Sequence, residues 1–470
     1  MPNCVALSAA VMAPVLAVIL NAPAAGPQAG AALPLSFLVA FIACFFVANT
    51  VIQFTKRLPS SGSFYTFCSH GLGGGAGFFT GWLYGAAFIA LAVGLFTANG
   101  AFFHDYLLTE WHVHVAWWVL SLIEIALIYA LSLRSIKASV RIDLALLGFE
   151  MIVFLVLGII AIARAGGGNS AHYFSPSASP HHLSGVGIGA VFGILSFIGF
   201  ESAAVLGEET KDAKRAIPRA VFGAMIIIGV FYVFMMYALA AGYHLNDPVQ
   251  MKAFLGDSTP FPTLAKHYAS WMTQIVDIAA ILGLFSCFLA VQNATVRVLF
   301  AMGRERVLPA ALGRVHSKFH SPHVAIYTLT ASSIAIGIGL AAWLGAGVTD
   351  VYGWTGSLGT VAIVIVYVMA NVALIRYFAK DPERNILRHV ILPILGIVAL
   401  AYPLYFVAKP GQSYPYNLVP YVVLVWIVLG LVTYFYFRAN SPEKLAAVGS
   451  VLAEEEDGDF AEGRLASAPI

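Results

Sequence analysis

Stretches of about 20 consecutive apolar residues recur along almost the whole of this chain, and no other feature limits its fold so strongly. About 20 residues is the length a helix needs to cross the roughly 30 Å hydrocarbon core of a bilayer. Inside lipid the backbone of each such run must satisfy its own donors and acceptors, which a helix does. Composition enters as a check. Of the 470 residues 60% are hydrophobic and 10% charged, a surface with which a soluble domain could not stay dispersed. The chain therefore reads as one all-α membrane domain over residues 1–442, followed by an acidic segment, 443–470, whose Glu454-Glu455-Glu456-Asp457 run marks a disordered cytoplasmic tail.

The apolar runs place spans at 5–25, 33–54, 78–103, 114–133, 142–163, 185–206, 220–242, 274–299, 324–344, 354–377, 389–407 and 418–437. With a cytoplasmic N-terminus, every even-numbered span ends in the cytoplasm. All but four of the 25 Lys and Arg residues then fall on cytoplasmic segments, the exceptions being Arg164, Lys252, Lys266 and Lys409. This asymmetry supports both the count of about twelve spans and a multi-pass topology in the cell's inner membrane with both termini cytoplasmic. No basic region precedes the first span, so it reads as a retained helix and not a cleaved signal.

Two spans are irregular. The first holds Met12-Ala13-Pro14-Val15 and then Asn21-Ala22-Pro23, and the sixth runs Phe197-Ile198-Gly199-Phe200-Glu201 through its middle. Proline removes a backbone donor and glycine loosens a helix, so both spans are expected to break at membrane depth. They are the corresponding first helices of two five-span halves, and paired interruptions of that kind point to a transporter binding site. The plainer alternative is a proline kink plus a small-residue packing face. A broken helix offers free N–H groups at one half-helix start and free C=O groups at the other half-helix end, which suit the carboxylate and the ammonium of an amino acid. Met12, Ala13, Pro14, Val15, Phe197, Ile198, Gly199 and Phe200 are thus the expected substrate-binding residues, with Phe200 also placed to close over the substrate. Three carboxylates fall within spans, where an isolated charge is costly: Glu124, Glu150 and Glu201. Glu201, beside the sixth-span break, is a candidate for proton coupling or gating, or a structural cap. Glu150 and Glu124 are candidates for the same role, or carboxyls hydrogen-bonded between helices. Asn293 and Thr295 could line the site or bond neighbouring helices.

The stretch Ser196-Phe197-Ile198-Gly199-Phe200-Glu201-Ser202, continuing through Glu208-Glu209-Thr210-Lys211 to Ile217-Pro218-Arg219-Ala220, closely resembles the sixth span and following loop of the amino acid-polyamine-organocation permeases. Similar matches lie at Pro59-Ser60-Ser61-Gly62-Ser63-Phe64-Tyr65, at Gly77-Phe78-Phe79-Thr80-Gly81-Trp82, at Asn293-Ala294-Thr295-Val296-Arg297 to Leu308-Pro309, and over 352–376. The resemblance spans about residues 5–438 and implies a five-plus-five inverted repeat with discontinuous helices 1 and 6 and two appended spans. Two departures bear on substrate. Ala13-Pro14 stands where many amino acid members carry a Gly-Ser-Gly type break and is more similar to the putrescine and amine importers, and Glu150 stands where some members place a lysine.

Other signals carry less. Cys4, Cys44, Cys68 and Cys287 are scattered and read as packing residues, and Gly71 to Gly77 reads as a flexible loop, lacking the strand and Lys-Ser/Thr of a phosphate loop. His112, His114, His181 and His182 fall in extracytoplasmic loops. No nucleophile-base or metal constellation is present, so an enzyme, a cofactor and a nucleic-acid partner are not expected. The reading is a secondary active transporter of amino acids working by alternating access, with a small-molecule substrate and the proton as coupling ion. Its alternatives are a polyamine importer or an exchanger on the same fold, and a sensor that binds without flux. A channel would need a continuous polar stripe that these spans lack.

Overall fold

The computed structural model describes residues 8–9, 11–58, 62–134, 136–206, 212–304, 306–319, 321–344, 348–442 and 445. The expected acidic tail and the Pro59–Ser61 and Glu208–Lys211 segments lie outside the described residues, apart from Leu445. Among the described residues the structure is helical, with no strand. Its α-helices are α1 (Pro14–Ala29), α2 (Leu33–Arg57), α3 (Phe64–Leu72), α4 (Gly74–Trp111), α5 (Trp117–Arg134), α6 (Ile136–Arg164), α7 (His182–Phe197), α8 (Ala213–Gly242), α9 (Pro248–Leu255), α10 (Pro260–Tyr268), α11 (Thr273–Arg304), α12 (His323–Leu344), α13 (Val348–Tyr377), α14 (Leu392–Ala408) and α15 (Val419–Asn440).

Among the described residues eleven helical stretches are long and apolar enough to cross a membrane, and the first, Pro14–Arg57, is 44 residues long. At about 1.5 Å per residue it would be about 66 Å if straight, roughly twice the bilayer core. It doubles back instead, turning at Gly30 (φ +57°) between α1 and α2. The glycines of α7 show the reversal. A β-carbon on Gly185 would meet the Gln28 carbonyl, one on Gly189 would sit 2.8 Å from Ala29 Cβ and 2.7 Å from Ser36 Oγ, and one on Gly193 would sit 2.5 Å from Ala40 Cβ. From Gly185 beside Gln28 to Ser196 bonded to Asn21 the neighbours of α7 recede along α1, while from Gly189 beside Ser36 to Gly193 beside Ala40 they advance along α2. The two helices are antiparallel, so the eleven stretches among the described residues make twelve helical passes.

Glycines spaced four apart put a bare stripe on one side of α7, which admits α1 and α2 at close range. Lipid tails are as apolar as leucine, so such close packing is what distinguishes a helix neighbour from lipid. The apolar window of α7 is 83% buried, whereas that of α15 is 17% buried. Spans one, two, six and seven thus form the interior with α4, α11 and α13, and α5, α12, α14 and α15 form a rim.

Two expectations are corrected. Gly71 to Gly77 is helical, in α3 and α4, with a single break at Gly73 (φ +101°). Its glycine content serves packing: a β-carbon on Gly71 would lie 2.7 Å from Ala373 Cβ. The first span does not break at Asn21-Ala22-Pro23, because α1 continues through Pro23 and Pro27. Buried helices tolerate proline where neighbouring groups satisfy the freed backbone.

Candidate functional site

The first span is interrupted at Ala13, whose φ of +43° and ψ of +67° are left-handed, a conformation costing a residue with a β-carbon about 1–2 kcal/mol. Pro14 follows at the first position of α1, where its fixed φ suits the helix and its missing N–H is no loss. The sixth span is interrupted at Ile198 (φ −56°, ψ +128°) and Gly199 (φ +106°), after which Phe200–Leu206 forms a 3₁₀ helix. Both expected breaks are present. At Gly199 a side chain is excluded twice, by the positive φ and by Val11, onto which a β-carbon would fall.

The breaks are tied to each other by polar contacts that sequence reasoning did not single out. Ser8 Oγ donates to the Phe200 carbonyl at 2.8 Å and accepts from the Ala203 N–H at 3.0 Å. The Tyr232 hydroxyl of α8 lies 2.7 Å from both the Met12 and the Ser196 carbonyl oxygens, so one proton serves two helix-end acceptors. Asn21 Nδ2 donates to Ser196 Oγ at 2.8 Å, and the Tyr352 hydroxyl of α13 donates to Asn21 Oδ1 at 2.8 Å. Spans one, six, seven and ten meet here.

Between the breaks is a cavity of about 30 Å³, room for about one water. Met12 and Ile198 line it, among the residues the sequence proposed, while Ala13, Pro14, Val15, Phe197, Gly199 and Phe200 do not. Phe197 instead packs its ring on Phe41 and Tyr232. Most of the wall is aliphatic, from Val11, Leu16, Leu91, Leu95, Leu195 and Val291, with Asn21, Ser196, Tyr352 and Cys287 as its polar members. Asn293 and Thr295 do not reach it: Asn293 accepts from Ser132 at 3.0 Å, and Thr295 donates to the Val291 carbonyl.

The cavity is closed unequally on its two sides. Toward the face that carries Arg57, Arg376 and Arg438, a continuous set of packed rings runs from Phe88 through Tyr84, Phe64 and Phe67 to Phe54 and Tyr377, with Phe200 and Tyr367 against Phe64. Phe200 is fully buried in this closure. Toward the opposite face, about one helical turn separates Asn21 and Ser196 from Ala24 and Phe192, which line a second cavity of about 540 Å³. That cavity carries Asp257 and Asp350 and, among the described residues, no basic side chain.

The three carboxylates take different places. Glu201, fully buried within the aromatic closure, accepts from the Tyr84 hydroxyl at 2.8 Å and from the Gly199 N–H at 3.2 Å. Glu150 of α6 lies against α11 beside the start of α1. A β-carbon on Gly283 would sit 2.9 Å from Glu150 Oε2 and 3.1 Å from Val15 Cγ1. Glu124 of α5 is farther round α11, where Asn99 Nδ2 donates to its Oε1 at 2.8 Å and to the Leu284 carbonyl at 3.0 Å.

A third cavity, about 740 Å³, lies among the connections before α7 and after α8, away from the breaks. There the Tyr243 hydroxyl donates to Asp257 Oδ2 at 2.6 Å, and burial together with that carboxylate holds its pKa well above the usual phenol range. His112, His114, His181 and His182 are exposed, and no group of three metal-ligating side chains occurs among the described residues. Cys44, Cys68 and Cys287 are buried, and Cys4 lies outside the described residues.

Against known proteins, the amino acid permease profile matches residues 10–446. The chain belongs to the amino acid permease family. Its members are membrane transporters, not enzymes. Relatives of this permease include a branched-chain amino acid permease of Bacillus subtilis (strain 168), 27% identical over 436 residues that cover 87% of this chain and 86% of the relative. A methylthioribose transporter of the same organism is 24% identical, covering 87% and 86%. A low-affinity putrescine importer of Escherichia coli (strain K12) is 25% identical over 309 residues, covering 64% of this permease and 66% of the importer.

Proposed function

We propose that this permease is a proton-coupled secondary transporter of neutral amino acids with aliphatic side chains, working by alternating access across the cytoplasmic membrane. The wall of the cavity between the breaks carries the substrate class: it is mostly aliphatic and, among the described residues, holds no charged side chain. The likeness to a branched-chain amino acid permease supports the same class.

An amino acid's two charges match the broken helices. Its carboxylate suits the positive start of α1, where the N–H group of Leu16, a residue of the cavity wall, lacks a partner within the helix. Its ammonium suits the carbonyls of Met12 and Ser196, which otherwise share the single Tyr232 proton. The side chain then lies among Leu91, Leu95 and Val291. A site of about 30 Å³ must widen to admit such a molecule, and the thin layer of Asn21, Ser196 and Tyr352 is the side on which it opens first. Opening to the other face requires the aromatic closure to part, and with it the Tyr84–Glu201–Gly199 contacts. That geometry favours Glu201 as the coupling carboxylate, with Glu150, beside α1, as the second candidate. The basic face is taken as cytoplasmic.

One observation favours a second reading, import of a diamine: the 540 Å³ cavity carries two carboxylates and no basic group, which would concentrate cations. Competition against labelled leucine uptake in proteoliposomes separates the two. Excess valine and isoleucine should abolish uptake, while glutamate, lysine and putrescine leave it unchanged. Labelled putrescine uptake with no leucine uptake would replace the first reading by the second, and leucine binding without flux under any gradient would mark a sensor.

A further inference from the structure

Glu124 sits at the middle of α5, almost wholly buried, with α4, α6, α11 and α12 packed around its helix. Half of its hydrogen bonding is accounted for. Asn99 Nδ2 uses one proton on Glu124 Oε1 and the other on the Leu284 carbonyl. The pair's other two polar atoms, Glu124 Oε2 and Asn99 Oδ1, are buried acceptors that no donor reaches among the described residues. Among the same residues no Lys, Arg or His from the four surrounding helices pairs with Glu124, and the acid that α6 carries, Glu150, lies on the Gly283 side of α11. An ionised carboxylate in this position would keep a full charge out of water with half of its acceptor capacity unused, which membrane interiors penalise heavily. One proton on Oε2 removes the charge and supplies the donor that Asn99 Oδ1 lacks.

We propose that Glu124 is a neutral carboxylic acid joined to Asn99 by two hydrogen bonds, and that it keeps its proton throughout the transport cycle. It is a positioning residue. The acid O–H closes the pair onto Asn99 Oδ1, and the second amide proton fixes α11 at Leu284, one residue from Gly283, where Val15 and Glu150 pack against that helix. The acid–amide pair thereby locks α4, α5 and α11 beside the first-span break and leaves the turnover of protons to Glu201. This last point rests on the proton-coupled reading above; the protonation state of Glu124 does not.

The test has a spectroscopic arm that needs no transport. Infrared spectra of the purified full chain in lipid should contain the carbonyl stretch of a protonated carboxyl that is absent from Glu124→Gln, moves when Asn99→Ser removes the amide partner, and keeps its intensity from mildly acidic to mildly alkaline buffer. In the transport arm, Glu124→Gln, whose amide reproduces both hydrogen bonds, should keep the leucine KM and the proton stimulation within about twofold, whereas Glu124→Ala should raise KM about tenfold by orphaning Asn99 Oδ1. A band that vanishes as the pH is raised would overturn the proposal, as would loss of proton stimulation in Glu124→Gln. Should Glu124→Gln not fold, the shift in Asn99→Ser and the pH-independence in the wild type still decide it, and a chain with no leucine flux but a pH-insensitive band would refute the transport reading while upholding this one.

Discussion

At the scale of single residues, the polar groups that organise the site are few and each is shared. Tyr232 serves two carbonyls with one proton, and on the proposed reading a substrate ammonium takes over part of that role. Tyr232→Phe leaves both carbonyls without that donor, and an unsatisfied buried acceptor costs about 1–3 kcal/mol. Apparent leucine KM should change about tenfold or more, read from uptake kinetics, with the expressed protein still monodisperse. Tyr352→Phe breaks the contact to Asn21 in the thin layer only, and should speed exchange of leucine while leaving the substrate ranking unchanged. These tyrosines were not legible as site residues. A lone hydroxyl in a long apolar run shows that a partner exists but not which one, and Tyr232 finds its partners in spans one and six, 220 and 36 residues away in sequence. Leu91, Leu95 and Val291 were hidden for a different reason: an apolar residue facing a cavity looks the same in sequence as one facing lipid.

At the scale of elements, the interruptions were readable because proline and glycine act on the backbone locally, whatever the tertiary setting. Pro14 and Gly199 mark the two breaks, yet Pro23 and Pro27 do not break α1, since helix continuity there is decided by packing. The short helices α9 and α10 lay in what the sequence presented as a connection, being too brief for the apolar-run criterion. Gly199→Ala forces a β-carbon into a positive φ and onto Val11, and should abolish uptake with surface expression retained. On α7 the glycine stripe is the contact with α1 and α2, so Gly189→Leu, overpacking a site where even a β-carbon falls 2.7 Å from Ser36 Oγ, should cost about 1–3 kcal/mol or more and lower the melting temperature in detergent. The exposed Arg57 pairs with Asp381 and Glu383 join α2 to the connection after α13 but are solvated, and Arg57→Ala should leave that melting temperature nearly unchanged.

At the scale of the whole molecule, the two closures differ in depth: one helical turn of Asn21, Ser196 and Tyr352 on one side, and a succession of packed rings enclosing Glu201 on the other. If the basic face is cytoplasmic, as proposed, a cysteine placed at Gly411 should react with an impermeant thiol reagent from outside intact cells, and one placed at Lys380 only after permeabilisation. On the proposed proton-coupled reading the asymmetry also places coupling at the ring closure, because the Glu201 contacts lie within it. The most direct test is leucine accumulation in proteoliposomes driven by an imposed inward proton gradient, in the wild type and in Glu201→Gln. Gradient-dependent accumulation in the wild type, lost in the variant while leucine–leucine exchange continues, is the predicted result. Accumulation that ignores the gradient, or a variant that still follows it, would contradict the account.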